Sequence, residues 1–319
     1  MKKATGYYFK IVLAWMVTIA FAYYFLSLLG RQIREDKEYA GINSRNVGMA
    51  TNYDDVMSQD DASLDEGGIA NKHVIAAFEQ IRKDKFDDAL DVISKIGDNQ
   101  YLKNNKASIQ EYLLDFSDWY KEYKELQQYY NMPKNERKKN SEPDFTKDIQ
   151  SFIKSGACES YFGDKKSEYA PIVPYTQFKL MNKLFKDHVG EDYKDEFIKK
   201  HIGAAVYKTY IDTFTNGKES LSDEDGDVIC GYIYASFVGA RENWKNEKAE
   251  KDELESLEKE IDAFRDHNTW KADLSDNGKL SIQWKYLQSA KSRIRERIEK
   301  GGFRRNYDKS KNLEPYNGW

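Results

Sequence analysis

The first pattern along the chain is a run of twenty residues without a charge. It extends from Ile11 to Gly30 with the sequence IVLAWMVTIAFAYYFLSLLG, and Lys10 and Arg31 flank it. At about 1.5 Å per residue, a helix of this length reaches about 30 Å, which is the thickness of the hydrocarbon core of a bilayer. The pattern predicts a single-pass transmembrane helix at 11–30.

A cleaved signal peptide is the alternative for this run, because Ala20-Phe21-Ala22 has the small-x-small form of a cleavage site. Apolar residues continue beyond it to Leu29, which favours an uncleaved signal anchor. The basic leader 1–10 contains no acid, and a large body follows the run. We therefore expect the chain in the inner (cytoplasmic) membrane of a bacterium, with a cytoplasmic N-terminus and a periplasmic or extracellular body.

After the acidic stretch 31–70, which predicts a flexible tether, apolar positions return at helical spacing on both sides of a polar RKDK turn. This spacing predicts a helical hairpin. Within it, KDKFDDALDVISKI places the aromatic Phe86 three residues before the small Ala89. These residues resemble one tetratricopeptide-type helical hairpin, over about 72–97. The resemblance implies a two-helix unit and assigns no family.

An aromatic stripe follows the hairpin at steps of four, three, four, three and four residues. Its members are Tyr112, Phe116, Trp119, Tyr123, Leu126 and Tyr130. Such sustained helical spacing is typical of a buried core or helix interface, which is the favoured interpretation. Stacking on glycans is the alternative. If part of the stripe is exposed, Tyr112, Phe116, Trp119 and Tyr123 are the expected contact residues for a partner.

Near the C-terminal end the period changes from helical to alternating. Trp270, Ala272 and Leu274 alternate before the turn SDNG, and Leu280, Ile282 and Trp284 alternate after it. Asn-Gly between alternating runs predicts a β-hairpin at about 269–284, placed between two long helices. Residues 243–266 carry nine acids and five bases, whereas 285–311 carry ten bases and three acids. The opposite charges predict that the two helices form an antiparallel pair.

The predicted fold class is therefore mainly α, with one N-terminal transmembrane helix, a helical-hairpin body and one small β-hairpin. The predicted division is a leader (1–10), a transmembrane helix (11–30), a tether (31–70), a hairpin with the aromatic helix (71–131), a linker (132–143), a helical domain (144–302) and a basic, aromatic tail (303–319). In the tail, Arg304 and Arg305 are further candidate interaction residues.

Composition narrows the class of protein. The net charge is −4, 33% of residues are charged and five are prolines, which excludes collagen-like, disulfide-dense and wholly disordered chains. The four histidines form no HExxH motif, and no phosphate-binding or dinucleotide-binding fingerprint occurs. We therefore predict no catalytic residue, no cofactor and no enzymatic activity.

Two acidic loops partly match the spacing of an EF-hand. The candidate calcium ligands are Asp273, Ser275 and Asn277 in the first loop, and Asp223 and Asp225 in the second. Trp284 stands where the first loop would need its bidentate glutamate. A hairpin turn and an acidic helix N-cap account for the same residues, so no metal site is predicted.

The two cysteines, Cys158 and Cys230, leave two alternatives open. In an oxidising compartment they would form one disulfide, and otherwise they are two free thiols, with Cys230 buried in the apolar run VICGYIY. The disulfide follows only if the body is outside the cytoplasm.

Taken together, these features predict a membrane-anchored scaffold subunit of a multi-subunit bacterial envelope complex, of the secretion, pilus or flagellar-motor type. It would act by protein–protein docking of its helical domain. The expected partners are other membrane or periplasmic subunits, and the lipid bilayer through 11–30, with no nucleic acid. A ligand- or glycan-sensing module is the alternative, and an enzyme acting on envelope polymers is the third hypothesis.

Overall fold

The computed structural model describes residues 64–189, 196–218, 221–242, 247–265, 282–300 and 313–319, and all regular structure in these ranges is helical. The helices are α1 (Glu66–Arg82), α2 (Phe86–Gly97), α3 (Gln100–Asn105), α4 (Ala107–Asn131), α5 (Lys134–Arg137), α6 (Ile149–Lys154), α7 (Ala157–Phe162), α8 (Lys166–Tyr169), α9 (Ile172–Leu184), α10 (Glu196–Ile202), α11 (Ala204–Phe214), α12 (Asp223–Glu242), α13 (Glu247–Arg265) and α14 (Ile282–Lys300). A 3₁₀ turn at Gly163–Lys165 precedes α8, and a π-helical turn at Phe185–Val189 follows α9.

The first two helices form the predicted helical hairpin. Asp65 caps α1 by accepting a hydrogen bond from the amide of Gly68 at 2.7 Å. The connecting turn contains Asp84 with φ of 59°, a left-handed conformation that aspartate tolerates better than most residues. Helices α1 and α2 then pack along each other, so the prediction is confirmed.

Helix α4 carries the aromatic stripe into the core. Tyr112, Phe116, Trp119 and Tyr123 are all at most 4% exposed. Trp119 stacks on Tyr123 with ring centroids 5.5 Å apart, while Tyr112 meets Phe78 of α1. Burial of large aromatic rings is a major source of packing energy, so this stripe holds α4 against the hairpin. The core interpretation of the spacing is therefore confirmed.

A second aromatic contact joins α9 to α11 and α12. Phe178 stacks on Tyr207 at 4.5 Å, and the Tyr207 hydroxyl exchanges hydrogen bonds with the Asn182 amide group. Helix α12 presents Gly231 to the same tyrosine. A Cβ at this position would lie 2.7 Å from Tyr207 Cε1, so the close approach of α11 and α12 requires glycine there.

Helices α12, α13 and α14 pack on one another in a three-helix unit. Glu250 near the start of α13 pairs with Arg297 near the end of α14, and Asp262 pairs with Lys291. The order of these pairs is antiparallel, which confirms the arrangement predicted from the opposite charges. Glu250 and Arg297 are both nearly inaccessible to solvent, and the Arg297 guanidinium lies over the Phe237 ring at 5.3 Å.

The buried apolar side chains form one connected cluster from Ala70 to Tyr316. It includes residues before and after the segment 132–143, which contains α5. The proposed division into separate domains stays a prediction, because a shared core does not show which part folds by itself.

The predicted fold class needs two corrections. The β-hairpin prediction is wrong where it can be compared, because Ile282 and Trp284 lie in helix α14 and no strand occurs in the described ranges. The buried face of α14 follows helical spacing from Gln283 through Leu287 to Ile294, while Ile282 is 52% exposed. The alternation of Ile282 and Trp284 therefore does not mark a buried strand face. Residues 269–281 lie outside the described ranges.

The second correction concerns the membrane. Among the helices that the structure describes, none is long and apolar enough to cross a bilayer. The transmembrane helix expected at 11–30, like the leader and most of the tether, lies outside the described residues.

Candidate functional site

The start of α12 is built as a capping box. The Ser222 amide donates to the Asp225 carboxylate at 3.0 Å, and the Asp225 amide donates to the Ser222 hydroxyl at 3.2 Å. Lys218 adds an ion pair to Asp225 at 2.7 Å. The helix cap thus accounts for the acidic loop that contains Asp223 and Asp225.

No cluster of three or more histidine, cysteine or acidic residues suited to a metal ion is found in the described part of the chain. The other candidate calcium ligands, Asp273, Ser275 and Asn277, lie outside the described ranges. Arg304 and Arg305 lie outside them as well.

One turn beyond the cap, Asp227 is a carboxylate that is almost inaccessible to solvent. Three side chains donate hydrogen bonds to it: Tyr175 of α9 at 3.2 Å, Gln283 of α14 at 3.0 Å, and Tyr316. Burial raises the pKa of Asp227 to about 6, and the three hydrogen bonds oppose this shift by favouring the charged form. A single acid therefore joins three helices to the segment that carries Tyr316.

That segment, residues 313–319, is called here the tail segment. It has no regular secondary structure, yet Leu313 and Tyr316 are buried. Tyr316 packs edge-on against Tyr286 of α14 at 5.1 Å, and the Tyr286 hydroxyl donates to the Glu314 carbonyl at 2.8 Å. Trp319 packs against Tyr175 with ring centroids 5.6 Å apart. The body thus holds a short peptide without regular secondary structure through specific side-chain contacts.

Gly318 lies directly against the Tyr316 side chain. A Cβ at this position would overlap the ring and hydroxyl of Tyr316. The side chain of the neighbouring Asn317 is exposed, by contrast. Within the tail segment, the Tyr316 ring therefore fits against its own chain only because residue 318 is glycine.

The interaction residues predicted on the aromatic stripe do not contribute to this surface. Tyr112, Phe116, Trp119 and Tyr123 are internal, so in this conformation they cannot be contact residues for a partner. Their contact role was expected only if part of the stripe is exposed, and these four side chains instead pack α4 onto its neighbours.

The disulfide between Cys158 and Cys230 is also absent, since both thiols are free and buried. Burial raises the pKa of Cys158 to about 12, and the Cys230 thiol donates a weak hydrogen bond to the Gln283 carbonyl. Both groups are therefore neutral and unreactive in the folded chain.

Sequence reasoning missed Asp227 and Tyr316 because 89 residues separate them. A signal was nevertheless present, since Leu313, Tyr316 and Trp319 recur at every third position. Such spacing places apolar side chains on one side of an extended, polyproline-like segment.

No protein-family model, curated protein or solved structure matches this chain.

Proposed function

We propose that this protein is a structural subunit that acts by protein–protein docking, and that the seat of its tail segment is the docking site. The observation that carries the proposal is the set of contacts around Tyr316, whose hydroxyl reaches the buried Asp227 while Trp319 covers Tyr175. Aromatic side chains seated in formed pockets are typical anchors of peptide recognition. The membership of a particular envelope complex, and the cellular compartment, stay predictions from the sequence.

The proposed occupant in an assembly is the tail segment of a second copy. Exchange of an identical segment between two chains preserves every contact that the segment makes within one chain. The contacts of Tyr316 and Trp319 would be the same in both arrangements, so exchange links copies without the need for a new interface. A tail of this kind can connect subunits head to tail or in pairs.

The test uses the full chain and a fluorescent peptide with the sequence of residues 313–319, LEPYNGW. Gly318→Ala in the full chain displaces Tyr316 and opens the seat, so we expect the peptide to bind this variant more tightly than the unaltered chain. The control is Asn317→Ala, which alters an exposed neighbour and should leave the seat occupied.

Within the peptide, replacement of the tyrosine that corresponds to Tyr316 by phenylalanine removes the donor to Asp227. A hydrogen bond to a charged group contributes about 1.5–3 kcal/mol, so affinity should fall roughly 10- to 100-fold. Sedimentation of the unaltered chain should show association that grows with concentration and is weakened by Tyr316→Phe. Equal binding of both peptides, or a monomer at every concentration, contradicts the proposal.

A further inference from the structure

The tail segment contains an asparagine that is followed directly by glycine, Asn317-Gly318. The Asn317 side chain is exposed, and no hydrogen bond of either residue occurs in the described part of the chain. The amide carbon of an asparagine side chain can close a succinimide ring with the next backbone nitrogen. Glycine leaves that nitrogen unshielded, because it has no Cβ. The pair therefore has the chemistry for a spontaneous modification.

Another asparagine–glycine pair of the chain is held differently. Asn216-Gly217 follows α11, and its asparagine side chain is also exposed. The turn around this pair is closed by a hydrogen bond from the Lys218 amide to the Thr215 carbonyl at 3.2 Å. A third pair, at 277–278, lies outside the described ranges. Ring closure rotates the backbone of the asparagine, so at Asn216 this turn has to open first.

We propose that Asn317 is a site of spontaneous succinimide formation, and that this reaction releases the tail segment from its seat. The Gly318 nitrogen forms a bond to Cγ of Asn317, the bond from Cγ to Nδ2 breaks, and ammonia leaves with the proton of the Gly318 amide. One water molecule then opens the ring: its hydroxyl joins the attacked carbon, and its other proton returns to the nitrogen. Attack at Cγ gives aspartate. Attack at the main-chain carbonyl carbon gives isoaspartate, in which the backbone passes through Cβ and Cγ.

Isoaspartate is the product that leaves the seat. Its backbone contains one more carbon atom, which lengthens the path between two anchored rings by about 1.5 Å. Tyr316 is held by Asp227, and Trp319 packs on Tyr175. Gly318 already lies against the Tyr316 ring, so the added length displaces one of the two rings. Aspartate keeps the original backbone and adds only an exposed charge. The modification thus limits how long a copy retains its own tail, and this regulation rests on the proposed docking function.

The first measurement follows the unaltered full chain during incubation at mildly alkaline pH. Peptide mapping by mass spectrometry separates the asparagine, aspartate and isoaspartate forms of each pair. We expect Asn317 to convert about 2- to 10-fold faster than Asn216, because only the latter has to open a hydrogen-bonded turn. In urea the two rates should converge, which would assign the difference to the folded structure. Equal rates in the folded chain, or no conversion at Asn317, overturn the proposal.

The second measurement detects release of the tail with the fluorescent peptide of residues 313–319. The incubated chain should bind this peptide in proportion to its isoaspartate content, whereas freshly prepared Asn317→Asp should behave like the unaltered chain. Asn317→Gln, incubated in parallel, is the matched control, because the longer side chain closes a ring far less readily and should gain no peptide binding.

The two proposals fail in different ways. If Gly318→Ala binds the peptide and the isoaspartate form does not, release by modification is wrong and the docking proposal stands. If neither form binds the peptide, both the docking proposal and the release are overturned. Peptide mapping then still decides whether Asn317 is modified, because ring closure does not depend on docking.

Discussion

The ion pair between Glu250 and Arg297 offers a direct test of what holds the three-helix unit together. The two side chains are 1% and 3% exposed. We consider three variants: Glu250→Leu, Arg297→Met, and the double substitution. The leucine leaves a buried guanidinium without its carboxylate, and the methionine leaves a buried carboxylate without its cation. The double variant replaces both charges by apolar groups of similar length.

The expected loss of unfolding free energy is large for the two single variants and small for the double variant. Loss of one partner of a buried ion pair costs about 3–5 kcal/mol of unfolding free energy, because the remaining charge stays buried without compensation. The double variant should lose far less and can approach the stability of the unaltered chain, since desolvation of two charges is no longer required. Arg297 also lies over Phe237, and loss of that cation–π contact adds about 1–2 kcal/mol to its substitution.

The assay is urea unfolding followed by helical circular dichroism, with the four proteins compared as a double-mutant cycle. The control pair is Lys251 and Glu255, whose nitrogen and oxygen are 3.6 Å apart on the exposed side of α13. Its removal should change stability by no more than about 0.5 kcal/mol. The reasoning is refuted if each single variant loses less than about 1 kcal/mol of unfolding free energy. It is also refuted if the loss in the double variant equals the sum of the losses in the two single variants.

Three further outcomes are expected. Gly231→Ala should lose about 1–3 kcal/mol in urea unfolding because its Cβ would lie 2.7 Å from the Tyr207 ring, whereas Gly239→Ala on the same helix meets open space and should not destabilise. Burial raises the pKa of Asp227 from 3.8 to about 6, so the folded chain binds the proton more tightly and stability falls as pH rises from about 4 to 6. When the unfolding free energy is measured between about pH 4 and 6, Asp227→Asn should reduce its decrease by up to about 3 kcal/mol. An unchanged dependence of the unfolding free energy on pH would contradict the assignment to Asp227. Cys158 should react with a maleimide at pH 7 only after denaturation, as its pKa is about 12 in the folded chain.

The parts of the fold that were predicted correctly depend on local periodicity or on charge. The spacing around Phe86 correctly predicted the hairpin of α1 and α2. The stripe through Trp119 correctly predicted the buried face of α4, because residues at helical spacing lie on one side of a helix and that side is buried here. The prediction of a β-hairpin at 269–284 was wrong at its C-terminal end, where α14 begins and the polar Gln283 lies on its buried face. Its burial is explained by a hydrogen bond to Asp227, 56 residues away. The candidate site could not be predicted for the same reason, since its residues meet only after the helices have packed.

The position of the Glu250 and Arg297 pair also determines how α13 and α14 respond to force along their axes. Leu254 lies one helical turn after Glu250 and is buried. A slip of α14 by that turn, about 5.4 Å, would place the Arg297 guanidinium against this leucine and leave Glu250 without its cation. Sliding by that turn is therefore opposed by the cost of leaving two buried charges unpaired, so the pair fixes the axial register of the two helices.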